Sequence, residues 1–232
     1  MKKIITLLVT IALLTGCLAW SDDVIKIEHL DRLLASEASV RRAAAENPNN
    51  PVEILEKLSR DTDESVRWRT AENPNLPISS IKRLVEDEDS IVRSKVALNI
   101  NTPVEILKIL AKDEDRWPRI AVVNNTNTPI NIIEKLAKDR VDYVRAEVAQ
   151  NDRVSVKILE KLAEDEHPNV RTKVAQNSNT PINILEKLSK DKNEWVRLAV
   201  FQNNNTPTDI KRTLSEDKKV IETEAYAKKM GF

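Results

Sequence analysis

The feature that most limits what this chain can fold into is a 26-residue period, kept without insertion or deletion over most of its 232 residues. Asn returns at 47, 73, 99, 125, 151, 177 and 203, and Leu at 58, 84, 110, 136, 162, 188 and 214. An acidic column runs through Asp61, Asp87, Asp113, Asp139, Asp165, Asp191 and Asp217. A basic one runs through Arg41, Arg67, Arg93, Arg119, Arg145, Arg171 and Arg197. Proline holds the position of Pro51 in every copy but one, where Ser155 stands. Unbroken columns of this kind exclude an ordinary globule. Each period is one supersecondary unit that buries its apolar face against its neighbours.

The stretch "NTPVEILKILAKDEDRWPRIAVVNN" (101–125) shows what a unit contains. Thr102 reads as an N-cap, Pro103 as the first helical residue, and Glu105 as the far half of a capping box. Ile106, Leu107 and Leu110 then share one helical face, with Lys108 outside it. Asp113 ends this helix or caps the next. A second, shorter segment follows, with Val66, Thr70 and Ala71 inward in one copy and Val144, Val148 and Ala149 in another. Spacings of four and five residues again fit a helix buried along one stripe. The column Asn closes the unit, a residue tolerant of the left-handed conformation at helix ends.

Composition agrees with a helical stack. The chain has 2 Gly, 3% aromatics and 32% charged residues, a mix suited to helices with wet outer faces. Lys+Arg and Asp+Glu balance at 37 each, so no global field draws the chain to nucleic acid. The single cysteine, Cys17, makes no internal disulfide and holds no iron–sulfur cluster, and no cofactor motif is present.

The opening "MKKIITLLVTIALLTGC" has Lys2 and Lys3, an apolar run from Ile4 to Leu14, and small residues before Cys17. It reads as a secretory signal peptide spanning 1–16. "LTGC" resembles the lipobox of bacterial lipoproteins. That resemblance implies cleavage before Cys17, acylation of its thiol and of its new amine, and attachment to a membrane by two or more lipid chains. One chain alone holds only marginally, at about 0.8 kcal/mol per buried methylene. Leu18 after the cysteine, rather than Asp, implies export to the outer membrane in a two-membrane bacterium. Simple secretion or a retained anchor are the alternatives.

The repeats, with "NTPVEILKILAKDEDRWPRIAV" as the type, resemble the leucine-rich repeat variant family over roughly residues 35–217, and their Asp…Val-Arg portion resembles HEAT repeats. The resemblance implies an all-α solenoid, a right-handed superhelix of 26-residue two-helix repeats, with the shorter helix often 3₁₀. A described member of that family carries an N-terminal iron–sulfur cysteine cluster. This chain lacks those cysteines, so that association does not transfer. The organisation expected is an anchor linker and N-terminal helix over 17–34, a half repeat over 35–46, six repeats over 47–202, and a C-terminal capping repeat over 203–232 that loses the Arg column at Thr223.

Two sets of residues invite a functional reading. The Arg and Asp columns could present a row of cations to phosphates or an acidic polymer. Their matched counts favour a structural ladder instead, each Arg pairing with an Asp of its own or the preceding unit. Trp117, Tyr143 and Trp195 share one repeat position, filled elsewhere by Ser65, Ile91 and Asn169. They are either staples against the preceding loop or anchors of an interaction face. Trp68 is off this column and reads as packing or surface. His29 and His167 have no metal-ligand spacing, and no catalytic constellation stands out from the register. The expected role is therefore a non-catalytic protein-interaction scaffold at the bacterial envelope, its protein partner unidentified and its membrane contact made through Cys17. An envelope enzyme or enzyme accessory is one alternative; a glycan or small-molecule binder using the aromatic row is another.

Overall fold

A computed structural model describes residues 33–231, so the signal segment, Cys17 and His29 lie outside the described residues. Among the described residues there are fifteen α-helices and no strand. They fall into two compact bodies, the first ending at Asn127 and the second beginning at Thr128.

The first body contains α1 (Ala38–Ala45), α2 (Val52–Leu58), α3 (Glu64–Glu72), α4 (Ile78–Leu84), α5 (Ser90–Leu98), α6 (Val104–Leu110) and α7 (Arg116–Asn124). Here α3 packs on α1 and α5, and α5 on α7, while α2, α4 and α6 lean on the second helices of their own repeats. The second body contains α8 (Ile130–Leu136), α9 (Asp142–Gln150), α10 (Val156–Leu162), α11 (Pro168–Gln176), α12 (Ile182–Leu188), α13 (Glu194–Gln202), α14 (Thr208–Ser215) and α15 (Lys218–Met230). Its second helices stack in the order α9, α11, α13, α15. Each body is thus an α-helical repeat solenoid.

The core follows the periodicity. In α6 Ile106, Leu107 and Leu110 are buried; in α12 Ile184, Leu185 and Leu188 are. Val92, Val96 and Ala97 face inward from α5, as Val170, Val174 and Ala175 do from α11. Both helices of a repeat are α, and the first, at seven residues, is shorter than the second, at nine. This reverses the expected order of lengths. Proline fixes where the first helix begins, and a turn after the column Leu, as in Ala111–Lys112, ends it.

The capping expectation is also corrected. The first helices use proline itself as N-cap, in extended backbone, with no side-chain cap: Pro103 has φ −61 and ψ 147, and its carbonyl accepts from the N–H groups of Ile106 and Leu107. Thr102 is buried and donates its hydroxyl to the carbonyl of Val96 at 2.5 Å, on the last turn of α5. Thr180 does the same to Val174 and Thr206 to Val200. The Thr102 hydroxyl therefore gives a second donor to a helix-end carbonyl that also accepts the N–H of Asn99 at 3.2 Å, while proline already defines the start of the next helix. Glu105 makes no capping box and accepts from Lys108 Nζ at 3.4 Å instead.

The closing Asn residues adopt extended rather than left-handed backbone: Asn73 has φ −64 and ψ 127, and among the described residues only Gly231 has positive φ. The column Asp precedes the second helix by two residues. Asp63, Asp89, Asp115 and Asn193 take the cap and accept from the N–H two positions on.

Candidate functional site

The columns become two hydrogen-bonded ladders. In the first, the amide of the column Asn reaches back one whole repeat. Asn99 Nδ2 donates to the carbonyls of Ala71 and Asn73 at 2.8 and 2.9 Å, and Asn125 Nδ2 to those of Ala97 and Asn99 at 2.7 and 3.0 Å. In the second body Asn203 Nδ2 donates to Ala175 and Asn177 at 2.7 and 3.1 Å. The Asn Oδ1 accepts from the N–H two residues on, as Asn127 and Asn205 show. Both amide protons are taken, and Asn99, Asn125 and Asn177 are buried. These amides hold consecutive hinges together and leave no donor for a ligand.

The second ladder is a guanidinium clasp. Arg67 donates from Nε to Asp87 Oδ2 at 2.7 Å and from Nη2 to Oδ1 at 2.9 Å, while Nη1 donates to the backbone carbonyl of Asp61 at 3.0 Å. Arg41–Asp61 and Arg93–Asp113 repeat the carboxylate fork in the first body. Arg145–Asp165 and Arg171–Asp191 repeat it in the second. Arg197 reaches Asp217 through Nε at 2.9 Å.

The carboxylate partner thus belongs to the following repeat, 20 residues ahead, not to the Arg's own or the preceding one. The own-repeat Asp is used through its main chain, and its Oδ1 accepts the N–H two residues on, as Asp87 does from Asp89. Arg119 donates from Nη1 to the carbonyls of Asp113, Glu114 and Asp115. Asp139 accepts from the N–H of Val141, and its carbonyl accepts from Arg145.

The electrostatics match. The hydrogen bond from Arg171 to Asp191 raises the guanidinium above its usual range against the opposing effect of burial. Burial pushes the Asp191 carboxyl up, but Arg171 and the N–H of Asn193 hold it below its ordinary value. Arg67, Arg93, Arg119 and Arg171 are only 9%, 9%, 4% and 6% exposed, so this column is a register device and not a cationic surface. A buried fork of this kind sets register more than it adds net stability.

The aromatic column is different. Trp117 is 49% exposed, Tyr143 56% and Trp195 38%, and Ile91 at the same repeat position is 50% exposed. Trp117 lies in the first body, with the Arg116 guanidinium 4.8 Å from its ring centre. Trp195 lies in the second and meets Tyr226 of α15 edge-on, centroids 6.2 Å apart. Trp68 is sandwiched by cations, Arg69 at 4.0 Å and Lys95 at 5.5 Å from its ring centre. His167 is the N-cap of α11, with Nδ1 3.2 Å from Asp142 Oδ2. Among the described residues no His/Cys/Asp/Glu group has metal-site geometry, and no helix is long and apolar enough to cross a membrane.

The chain is similar to a leucine-rich repeat variant. The solved structure in question is described as a leucine-rich repeat variant with a novel repetitive protein structural motif; it is 29% identical, covers 84% of this chain and 77% of its own, and superposes with a TM-score of 0.62. No family model and no curated protein matches the chain.

The forward direction of the clasp and the thread of Thr hydroxyls are features the sequence reading missed. The Thr signal was present, as a Thr-Pro pair at 102, 128, 180 and 206, but its local meaning pointed to a cap.

Proposed function

We propose that this chain is an exported, lipid-anchored interaction scaffold of the bacterial envelope. It is attached by acyl chains at Cys17 and works by presentation rather than turnover. One observation carries the reading: the recurring polar residues are buried in ladders, whereas the position just before the inward Val/Pro column varies and is exposed. That position holds Ile91 and Trp117 in the first body and Tyr143 and Trp195 in the second. Exposed large rings on a repeat surface are the residues that anchor protein partners. The anchor rests on "LTGC", and in a two-membrane bacterium Leu18 favours the outer membrane.

The test places a photo-crosslinking residue at 143 in cells making either the otherwise wild-type chain or Cys17→Ser. The expected result is one discrete crosslinked protein, dependent on Trp195 and reduced when Cys17→Ser releases the chain from the membrane. Membrane partitioning unaffected by Cys17→Ser rejects the anchor. A crosslink pattern indifferent to Trp195→Ala rejects the aromatic face.

The same exposure favours a second reading, a glycan or small-molecule binder stacking on Trp117 or Trp195. Saturable quenching of tryptophan emission by soluble oligosaccharides, lost in the Ala variants, would select it.

A further inference from the structure

One junction in the first body sets two cations where one junction of the second body builds an ion pair. The residue just before the column Asp of one repeat neighbours the residue just before the column Leu of the next. In the second body these are Glu164 and Lys187, and Lys187 Nζ donates to Glu164 Oε1 at 2.6 Å. In the first body the same positions hold Arg60 and Arg83. Neither has a carboxylate within ion-pair distance among the described residues.

Arg83 is not free to leave. It is half-buried, and its Nη1 donates to Ser59 Oγ at 2.8 Å and to the Glu56 carbonyl at 3.5 Å. Burial first, and then the charge of Arg60, push Arg83 below its usual range, with the Glu56 carboxylate offsetting part of this. That carboxylate is itself held by Ser79 Oγ at 2.8 Å. An arginine stays charged in any protein setting, so the repulsion is not relieved by proton loss.

There is room for a relieving ligand. Arg60 lines an open surface groove that it shares with Ser59 and Arg83, and another that it shares with Lys57 and Thr62. Arg67 and Arg41, also in these walls, are already clasped to Asp87 and Asp61. Glu86 and Glu88 line the first groove too and work against an anion there. In the second body Lys138 and Lys161 repeat the like-charge pairing, but both are exposed on flexible stems that part in water.

We propose that Arg60 and Arg83 bind a phosphoryl group at this junction. The planar guanidinium forks suit its tetrahedral oxygens, and the bound anion supplies the negative charge that Glu164 supplies to Lys187 in the second body. The group comes either from free phosphate or from a lipid headgroup. The inference does not rest on the scaffold reading.

The test uses the full chain in detergent solution, with Arg side-chain Nε resonances followed during titration with inorganic phosphate. A saturable, salt-sensitive shift is expected at Arg60 and Arg83. Affinity should weaken about tenfold or more in Arg60→Gln and in Arg83→Gln and recover in part in Arg83→Lys. Arg60 is exposed, so its replacement leaves the fold intact and keeps the result interpretable. A second arm measures sedimentation with phosphatidylglycerol or phosphatidylcholine vesicles, wild type against the double Gln variant. The apolar N-terminal segment is common to both chains, so any difference reads the site. A phosphate response lost in the variants supports free phosphate as the ligand. No phosphate response, with phosphatidylglycerol binding that the double variant loses, supports a headgroup. Absence of both, or shifts unchanged by the substitutions, overturns the proposal.

Discussion

Within the second body the same two residue types clasp in two settings. Arg171 grips Asp191 with two hydrogen bonds, at 2.6 and 2.8 Å, and the Asp191 side chain is 8% accessible. Arg197 grips Asp217 through Nε at 2.9 Å, and that carboxylate is 29% accessible. The difference originates downstream. After Asp191 the chain turns for two residues to its cap, Asn193, and the Asp191 carbonyl accepts Nη1 of Arg197 at 2.8 Å. After Asp217 the helix starts at once, with Asp217 itself capping Lys219 and Val220.

This early start shifts the last helix by two residues, so Thr223, the nominal Arg position, becomes a buried core residue. Four residues past the cap, where Arg171 and Arg197 stand after theirs, comes Ile221, which is 49% exposed. The covered clasp therefore goes with the two-residue turn between the column Asp and its cap, which the last helix lacks because Asp217 is itself the cap.

Replacing the two arginines breaks or sharpens this contrast most directly. Arg171→Met leaves a buried carboxylate and the carbonyls of Asp165 and Glu166 without their donor, and should cost about 3–5 kcal/mol in urea unfolding. Arg197→Met exposes its orphan to water and should cost about 1–2 kcal/mol. Equal losses would mean that the exposure of the carboxylate does not set the cost of orphaning it.

The fold was legible because periodicity and polarity coincide: Ile106, Leu107 and Leu110 announce a buried face by spacing alone, and so do Val144, Val148 and Ala149. The direction of the clasp was not legible. A column repeated every 26 residues carries no arrow, so an Arg six residues after one Asp and 20 before the next could serve either. Only the stacking of second helices decides. Thr102 misled for a related reason, since its true partner, the Val96 carbonyl, lies on another helix and outside any local motif. The aromatic column was visible as a column, but its half-exposed state depends on how far the helix margin stands out from the stack.

Acid offers a gentler probe of the same pairs. Arg171 and the N–H of Asn193 outweigh burial to hold Asp191 below its ordinary range, and Asp165 is held low in the same way by Arg145 and the N–H of His167. Asp217 is lowered chiefly by Arg197, with burial opposing. A carboxyl lowered on folding binds its proton more readily in the unfolded chain. Its contribution is therefore complete above the unfolded pKa, about 3.9, and disappears as pH falls through the folded value. Urea midpoints taken from about pH 6 to about pH 2.5 should fall steeply only below about pH 4, and less so in Arg171→Met. An identical acid response in that variant would detach Asp191 from the effect.

The smallest expected change has the opposite sign, at the one hinge where the proline column is broken. Ser155 is the N-cap of α10 with φ −71 and ψ 153, close to the values of Pro181 at the equivalent hinge, −66 and 156. Its side chain donates to Glu134 Oε1 at 3.2 Å on the exposed surface, a bond of little net worth there. Proline fits that backbone without strain, and the equivalents of Val154 in the other six copies, four of them the β-branched Thr102, Thr128, Thr180 and Thr206, all precede proline. Ser155→Pro should therefore stabilise the second body by about 0.4–1 kcal/mol, by narrowing the unfolded ensemble rather than by adding a contact. A raised urea midpoint with an unchanged m-value is the expected signature. Destabilisation instead would show that the N–H of Ser155 has a structural use, and that this hinge differs from its siblings in more than the identity of one residue.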